Sequence, residues 1–235
     1  MKTRLTYQGK QALAIVDVLV IVAVVLILWV LLLPLLRDAR HRAQRINCAS
    51  NLKQVGVSFQ LWAKDNNNKY PMSVSVTNGG AYELIATGNV VGFCEVMSNY
   101  LSTQKILVCP EDPNGAYLPW GGDFSSSNFC NKNISYFVGV DADESHPQRL
   151  LCGDDNFLVN GNSVASGVQS LSTNVQIKWA SGRHVSPGSH FWTAAWERFA
   201  GNIVSADGSV ATFSDDGLQS ALQQTGLATN RLAIP

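Results

Sequence analysis

The chain has 235 residues, with 17 basic and 17 acidic side chains and therefore a formal net charge of zero. Proteins that bind nucleic acid normally carry a basic surplus, so this composition does not favour that class of partner. The roughly 165 residues from position 71 to the end (235 − 70) suffice for one domain with its own core.

The first element in chain order is a long apolar segment. Residues 13–36 are apolar apart from Asp17, and a basic leader of residues 1–12 precedes them. About 20 apolar residues cross a bilayer as a helix, because a helix satisfies its own backbone hydrogen bonds in lipid. The sequence therefore predicts a transmembrane helix. Pro34, near its end, removes a helical hydrogen bond and predicts a kink.

Residues 37–70 then continue as an amphipathic helix. Apolar residues recur every three or four positions, which places them on one face of a helix. The set is Ile46, Ala49, Leu52, Val55 or Gly56, Phe59 and Trp62. A run of polar residues from Asp65 to Asn68, followed by Pro71, predicts the end of this helix.

This arrangement of leader, apolar helix, proline, amphipathic helix and head resembles the type IV pilins and type II secretion pseudopilins. The resemblance implies a cut by prepilin peptidase after Ala12 and methylation of Leu13 as the new N-terminal residue. It places Asp17 at the family's glutamate position, in the register that Pro34 sets. Ala12, Leu13 and Asp17 all depart from the family's commonest residues. The resemblance implies that Asp17 meets an α-amino group during assembly, and the alternative is a hydrated carboxylate at the lipid headgroups.

A second resemblance covers more of the chain. Five segments, in order, are similar to pseudopilin-like proteins with an H-X9-DG processing-associated domain: CASNLKQVGVSFQLWAKDNNNKYP, ILVCPEDP, ISYFVGVDADESHPQRLLCGDDN, GNIVSADGSVATFS and LATNRLAIP. Asp207-Gly208 supplies the DG of that pattern. Glu197 stands at the position of its histidine, so no role of that histidine carries over.

The head, residues 71–235, is predicted to combine short helices with an antiparallel sheet. The expected elements are one or two helices in 82–101, a strand at Lys105–Val108, a loop at 111–131, strands in ISYFVGV, RLLCGDDNFLVNG and NVQIKWA, a helix or aromatic core segment in FWTAAWERFAG, a hairpin turning at Asp207-Gly208, and a helix from Asp215 to Thr225 starting at Ser214 or Asp215. The predicted fold class is α+β, with the long helix packed on an antiparallel β-sheet.

The five cysteines permit disulfides if the head lies outside the cytoplasm. An odd number leaves at least one thiol unpaired or paired between chains. Cys109 and Cys130 flank the loop of residues 111–129, so we predict that these two form a disulfide. No Cys-x-x-Cys motif or Cys/His cluster has zinc spacing, so a structural zinc site is not expected.

Two acidic sets are candidates for calcium, which takes six to eight oxygen ligands from flexible loops. The favoured set is Asp207, Asp215 and Asp216, and the other is Asp141, Asp143 and Glu144. Neither has the spacing of an EF-hand loop, and the alternative is that these are solvated turn carboxylates. Apart from calcium, no cofactor is expected.

The chain shows no catalytic motif. His184 and His190 lie close in sequence to Ser186 and Ser189, but a catalytic triad needs groups that converge from the fold. We therefore expect no enzyme activity.

The expected function is that of a structural subunit, and its partners are itself or other pilin-like subunits, prepilin peptidase, the inner-membrane assembly machinery and the lipid bilayer. The expected location is a single-pass inner-membrane protein with a periplasmic head, or a periplasmic or extracellular filament after assembly. The alternative is an anchored extracytoplasmic binding module, for example for a polysaccharide. Cleavage between Ala12 and Leu13 separates the two.

Overall fold

A computed structural model describes residues 8–85, 87–112, 124, 129–180, 183–185 and 199–235. The chain divides into two compact units, one ending at Arg42 and the other beginning at Ala43. The fold class is α+β, as predicted: a long N-terminal helix is followed by antiparallel sheets and short helices.

Helix α1 runs from Gln8 to Asp65, so Pro34 does not end it. The helix stops where the sequence predicts. Asn67 and Asn68 both have a φ of 56°, and the Asn68 N–H donates to the Ala63 carbonyl at 2.8 Å. Asparagine tolerates this left-handed conformation better than most residues because its short polar side chain bonds locally.

In the N-terminal unit, Ile15–Leu33 is a 19-residue apolar stretch of α1 with a mean hydropathy of 3.3, and none of it is buried. The exposed fraction of its large apolar side chains runs from 48% at Val22 to 67% at Trp29. The segment is therefore long and apolar enough to cross a membrane, and its side chains are exposed on all sides in the part of the chain that the structure describes.

In the second unit, α1 buries one face in the core of the head. The buried residues include Cys48, Leu52, Val55, Phe59, Trp62 and Ala63. This is the predicted face with two differences. Ile46 is 66% exposed and Ala49 is only half-buried, so the packed face begins at Cys48.

Between α1 and the sheet lie short helices. Helices α2 (Tyr82–Ile85) and α3 (Val90–Val96) confirm the prediction for residues 82–101. The predicted strand at Lys105–Val108 is wrong, because Gln104–Leu107 is a 3-10 helix whose first turn is capped by the Thr103 side chain. The other described 3-10 helices are Pro71–Ser73, Val76–Asn78 and Asn131–Asn133.

Ten described strands form two antiparallel sheets. They are β1 (Tyr136–Gly139), β2 (Leu150–Asp154), β3 (Phe157–Val159), β4 (Asn162–Ser163), β5 (Gly167–Ser172), β6 (Ile177–Trp179), β7 (His184–Val185), β8 (Phe199–Ser205), β9 (Val210–Ser214) and β10 (Thr229–Ile234). The larger sheet has the order β5-β10-β1-β2-β8-β7, with β9 also paired to β8, and the smaller has the order β4-β3-β6. Helix α4 (Asp215–Gln224) starts after the N-cap Ser214, as predicted. Most of FWTAAWERFAG lies outside the described residues.

Both faces of the larger sheet are covered, as alternation along β1 shows. Tyr136 and Val138 join the core that α1 packs against, whereas Phe137 joins a second core with Leu218 and Leu222 of α4. A strand buried on both sides cannot alternate apolar with polar residues, which accounts for the fully buried pattern of β1 and β2.

The β8–β9 hairpin confirms the predicted turn and holds α1. Gly208 has a φ of 75°, which suits glycine, and its carbonyl accepts a hydrogen bond from Lys53 Nζ at 2.6 Å. The approach of α1 to β8 is so close that a Cβ on Gly56 would lie 2.8 Å from Val204 Cγ1.

Candidate metal centre

Four side chains converge inside the head. They are Cys48 from α1, Cys109 from the segment after Gln104–Leu107, Asp154 from the end of β2 and His184 from β7. Their four candidate ligand atoms all lie within 4.8 Å of one another. All four residues are 0% exposed, so the cluster is closed to solvent.

The individual contacts are short. Cys48 Sγ lies 3.4 Å from Asp154 Oδ1. Cys109 Sγ lies 3.4 Å from His184 Nε2. The same Nε2 lies 3.2 Å from Asp154 Oδ2. Sulfur, nitrogen and oxygen donors thus face a common centre.

Strand β8 brings the aspartate and the histidine together. β2 pairs with the end of β8, at Ile203–Ser205, and β7 pairs with its start. Asn202 lies between these two pairings. Its N–H donates to Asp154 Oδ2 at 2.6 Å, and its Nδ2 lies 3.3 Å from His184 Nε2. The sheet register therefore fixes both side chains.

Two further residues orient the cluster from outside. The second ring nitrogen of His184, Nδ1, is hydrogen-bonded to the carboxylate of Glu111. With a metal bound, Nδ1–H would donate to that carboxylate and the deprotonated Nε2 would direct its lone pair at the centre of the cluster. On the opposite side the hydroxyl of Tyr136 lies 3.3 Å from Cys48 Sγ.

A second buried network lies directly beside the cluster. Arg183 Nη2 contacts Asp112 Oδ2 at 2.6 Å, and its Nη1 contacts Asp155. The Ser135 hydroxyl also donates to Asp112 Oδ2 at 2.6 Å, and the Ser135 carbonyl accepts from Arg183. Asp112, Asp155 and Arg183 are the chain neighbours of Glu111, Asp154 and His184. In each of these pairs one residue belongs to the cluster or contacts it, and its neighbour belongs to the arginine network. The arginine network therefore holds in place the segments that carry the cluster.

The electrostatics of the cluster favour charged donors. Burial lowers the pKa of His184, but hydrogen bonds, above all to Asp154, outweigh burial and raise that pKa to about 11. The hydrogen bond from Cys48 lowers the pKa of Cys109 to about 7 against the effect of burial. Burial raises the pKa of the Cys48 thiol far above its ordinary value. Both shifts favour the charged forms, a Cys109 thiolate next to a protonated His184.

A thiolate beside an imidazole is also the arrangement of a cysteine nucleophile. A nucleophile must reach its substrate, whereas Cys109 and His184 are wholly buried. A cleft that the described residues do form lies between β6 and α4, and no residue of the cluster lines it. A closed set of four donors is instead typical of a structural metal site.

The predicted disulfide is not formed, since Cys109 and Cys130 are both free thiols in this structure. Cys109 is buried in the cluster, whereas Cys130 is exposed and its Sγ donates to Asn133 Oδ1 at 3.3 Å. Flanking a common loop in sequence did not place the two thiols together.

The favoured calcium set does not converge among the described residues. Asp207 Oδ1 accepts the N–H of Ser209 in the β8–β9 turn at 2.8 Å. Asp215 Oδ1 accepts the N–H of Trp179 at 2.8 Å, and Asp216 lies in the first turn of α4. These carboxylates serve a turn and a helix start.

The second calcium set binds basic side chains. Asp141 pairs with Arg231, and Asp143 pairs with Arg149 and His146. Burial raises the pKa of Asp143, but the hydrogen bond with His146 and the charge of Arg149 together outweigh burial and lower that pKa below its ordinary value.

The remaining predicted site residues fall in or near the apolar helix. Asp17 is exposed on α1. The backbone at Ala12, Leu13 and Pro34 is helical, but their side chains lie outside the described part, as does Glu197.

The cluster was missed because its members are 61, 45 and 30 positions apart in sequence (48, 109, 154, 184). Zinc motifs are recognised by short spacings, and none exists here. One signal was available: the acidic pairs Glu111-Asp112 and Asp154-Asp155 each follow closely on an apolar stretch.

The architecture, an apolar N-terminal helix followed by an antiparallel sheet domain, is compatible with a pilin-like α+β fold. No protein-family model, no curated protein and no solved structure was found to match this chain. A function is therefore supported here by the residue contacts and the chemistry of the side chains alone.

Proposed function

We propose that this protein is a membrane-anchored, pilin-like structural subunit whose apolar helix packs against the helices of other subunits in a filament. The observation that carries the proposal is the segment Ile15–Leu33, which is apolar on every side apart from Asp17 and is unburied. Each large apolar side chain left in water forgoes about 1.5–3 kcal/mol of burial free energy. Such a segment needs lipid before assembly and apolar neighbours after it.

The continuation of α1 supports a role beyond anchoring. A simple anchor needs only about 20 apolar residues. Here the same helix runs on to Asp65, and its later part contributes Leu52, Phe59 and Trp62 to the core of the head. A filament subunit benefits from this design because its head is then built around the helix that assembles.

Asp17 gives the proposal its chemical detail. A carboxylate in an apolar membrane helix is costly unless it finds a partner. Cleavage after Ala12 would create a cationic α-amino group at Leu13, four residues away. That amine, from a neighbouring subunit or the same one, is the partner we propose for Asp17.

The test is the N-terminus of the mature protein. We would express the full chain together with a prepilin peptidase and determine its N-terminal peptide by mass spectrometry. The expected product begins at Leu13 and carries an additional methyl group. Ala12→Leu should remain uncut because the small residue before the cleaved bond is lost, whereas the control Ala14→Leu should be cut normally.

Two results would contradict the proposal. A chain that begins at Met1 even with the peptidase present would favour the anchored binding module. A chain that begins beyond Leu36 would indicate a secreted domain without an anchor.

A further inference from the structure

We propose that Cys48, Cys109, Asp154 and His184 form a structural zinc site in the core of the head. The site would be closed and four-coordinate, with donors Cys48 Sγ, Cys109 Sγ, His184 Nε2 and one oxygen of Asp154. This inference does not depend on filament assembly, because all four ligands lie in the second unit.

The spacing of the donor atoms fits tetrahedral zinc. Zinc–sulfur bonds of about 2.3 Å and zinc–nitrogen or zinc–oxygen bonds of about 2.0 Å give tetrahedral edges of about 3.5 Å between sulfur and nitrogen or oxygen, and about 3.3 Å between nitrogen and oxygen. Cys48 Sγ lies 3.4 Å from Asp154 Oδ1, and Cys109 Sγ lies 3.4 Å from His184 Nε2. His184 Nε2 lies 3.2 Å from the other carboxylate oxygen, Asp154 Oδ2, and one donor atom from each of the four residues lies within 4.8 Å of the others. Both sulfur distances match tetrahedral edges, and an ion held by Asp154 Oδ1 would replace the present contact between His184 Nε2 and Oδ2.

The donor set selects the metal. Two thiolates and an imidazole suit zinc, whereas calcium and magnesium take oxygen donors almost alone. Four protein ligands leave no open position for water or substrate, which assigns the ion a structural and not a catalytic role. Zn²⁺ would bind two thiolates, one carboxylate and a neutral imidazole, so binding releases the protons that the cysteines and His184 Nε2 still carry. The three anionic ligands against one Zn²⁺ leave the site with one net negative charge.

The surroundings have the partners that metal ligands usually need. Glu111 holds Nδ1 of His184, which aims Nε2 at the centre. The hydroxyl of Tyr136 can donate to the Cys48 thiolate, and the Asn202 N–H donates to Asp154 Oδ2. Each of these three residues holds one proposed ligand in place through a hydrogen bond.

The site would join four parts of the head that are distant in sequence. It links α1 to β2, β7 and the segment that follows Gln104–Leu107. Since a preformed site does not exist in the unfolded chain, the binding free energy adds to the stability of the fold. Loss of zinc should therefore loosen the packing of α1 on the sheet.

The chemical competitor is a disulfide between Cys48 and Cys109, whose sulfur atoms lie within 4.8 Å of each other. Oxidation of these thiols would remove two ligands and exclude zinc. The experiment must therefore measure metal and thiol state in the same sample.

The first measurement is the metal content of the full chain, purified in detergent through a tag that contains no histidine. Elemental analysis should find about one zinc per chain, as four-coordinate structural sites require. Cys109→Ser should lose zinc, whereas Cys130→Ser, which removes an exposed thiol outside the cluster, should retain it. Asp154→Cys should also retain zinc, because three thiolates and a histidine form a closed site.

The second measurement uses the wild-type protein alone, so it does not depend on whether a variant folds. Cys48 and Cys109 should resist alkylation until a strong chelator is added, and the unfolding midpoint should fall on chelation. Zinc should restore both properties, and calcium or magnesium should restore neither. Cobalt(II) in place of zinc should give tetrahedral ligand-field bands with thiolate charge transfer.

Three results would overturn the proposal. The first is a wild-type chain with both thiols reduced that contains no stoichiometric metal and takes up no zinc when zinc is added. The second is a Cys48–Cys109 disulfide in peptide mass spectra of the purified protein. The third is stoichiometric binding of a metal other than zinc.

Discussion

Helix α1 consists of two parts that satisfy their apolar side chains in opposite ways. In the part from Ile15 to Leu33 the large apolar side chains are all exposed, the least of them 48%. In the part within the head, Leu52 is 0% exposed and Phe59 is 2% exposed, while Lys53 and Val57 face solvent. One part requires surroundings from outside the chain, and the other finds them within it.

The amount of apolar sequence and the spacing of apolar residues therefore predict different surroundings for a helix. The first part has no polar face, which predicts contact with lipid or other helices on every side. The second part has a single stripe, which predicts one sheet to pack against. The same secondary structure thus serves two environments, and substitutions at matched residues should separate them.

The largest effect is expected from truncating a leucine in the head. Leu52→Ala should lower the free energy of unfolding of the head by about 2–5 kcal/mol, because it leaves a cavity beneath α1. Leu28→Ala, the same change at a residue that is 53% exposed, should leave that free energy unchanged. Urea unfolding in detergent, followed by fluorescence of the buried Trp62 and Trp179, measures both. An equal loss in the two variants would mean that the apolar part also packs on the head.

An arginine substitution should affect the apolar part of α1 and spare the part within the head. Val24→Arg places a charge near the centre of the apolar part, at a cost of about 2.5–3.5 kcal/mol for membrane insertion. The matched control Val57→Arg alters an exposed position of the head and should leave insertion unchanged. Fractionation of cells into membrane and soluble protein gives the result. Membrane recovery of Val24→Arg equal to that of the control would argue against lipid contact at residue 24.

The smallest effect should mark where the packed face begins. Ile46 has the helical spacing of the buried stripe but is 66% exposed. Ile46→Ala should therefore change the free energy of unfolding by no more than about 0.5 kcal/mol, as is usual for surface positions. The same urea titration measures it, with Leu52→Ala as the reference for a packed position. A loss near that of Leu52→Ala would extend the packed face from Cys48 back to Ile46, about half a helical turn.

The sequence predicted best what depends on neighbouring residues. Asp207-Gly208 marks the hairpin because a tight turn needs a residue with positive φ, and Ser214 marks the start of α4 because its side chain caps the first turn. The strand predicted at Lys105–Val108 was wrong because the preference of Ile106 and Val108 for strands is weak enough for a local helix cap to override it. There, the Thr103 side chain accepts the N–H of Lys105 and favours a 3-10 turn.

The candidate metal centre lies beyond this kind of prediction. Its four ligands are set by the register of β2 and β7 on β8 and by the docking of α1, none of which follows from spacing along the chain. The pairing predicted for Cys109 failed for the same reason, since its nearest sulfur comes from position 48 and not from 130. When a site is assembled from segments that are distant in sequence, the sequence shows which residue types could be ligands but not which of them come together.

Two contacts between the N-terminal part of the head and the β8–β9 hairpin join residues that are distant in sequence, which has a consequence for biogenesis. Lys53 bonds to Gly208 across 155 positions, and Tyr70 bonds to the Ala206 carbonyl across 136. The head-facing side of α1 can meet Tyr100 and Val108 earlier, but its packing on the β8–β9 hairpin must wait until Gly208 has been made. The apolar part is translated first, so we expect it to be available for membrane insertion before the head completes its fold. Contacts this distant in sequence require long loops to close, which slows the folding of the head.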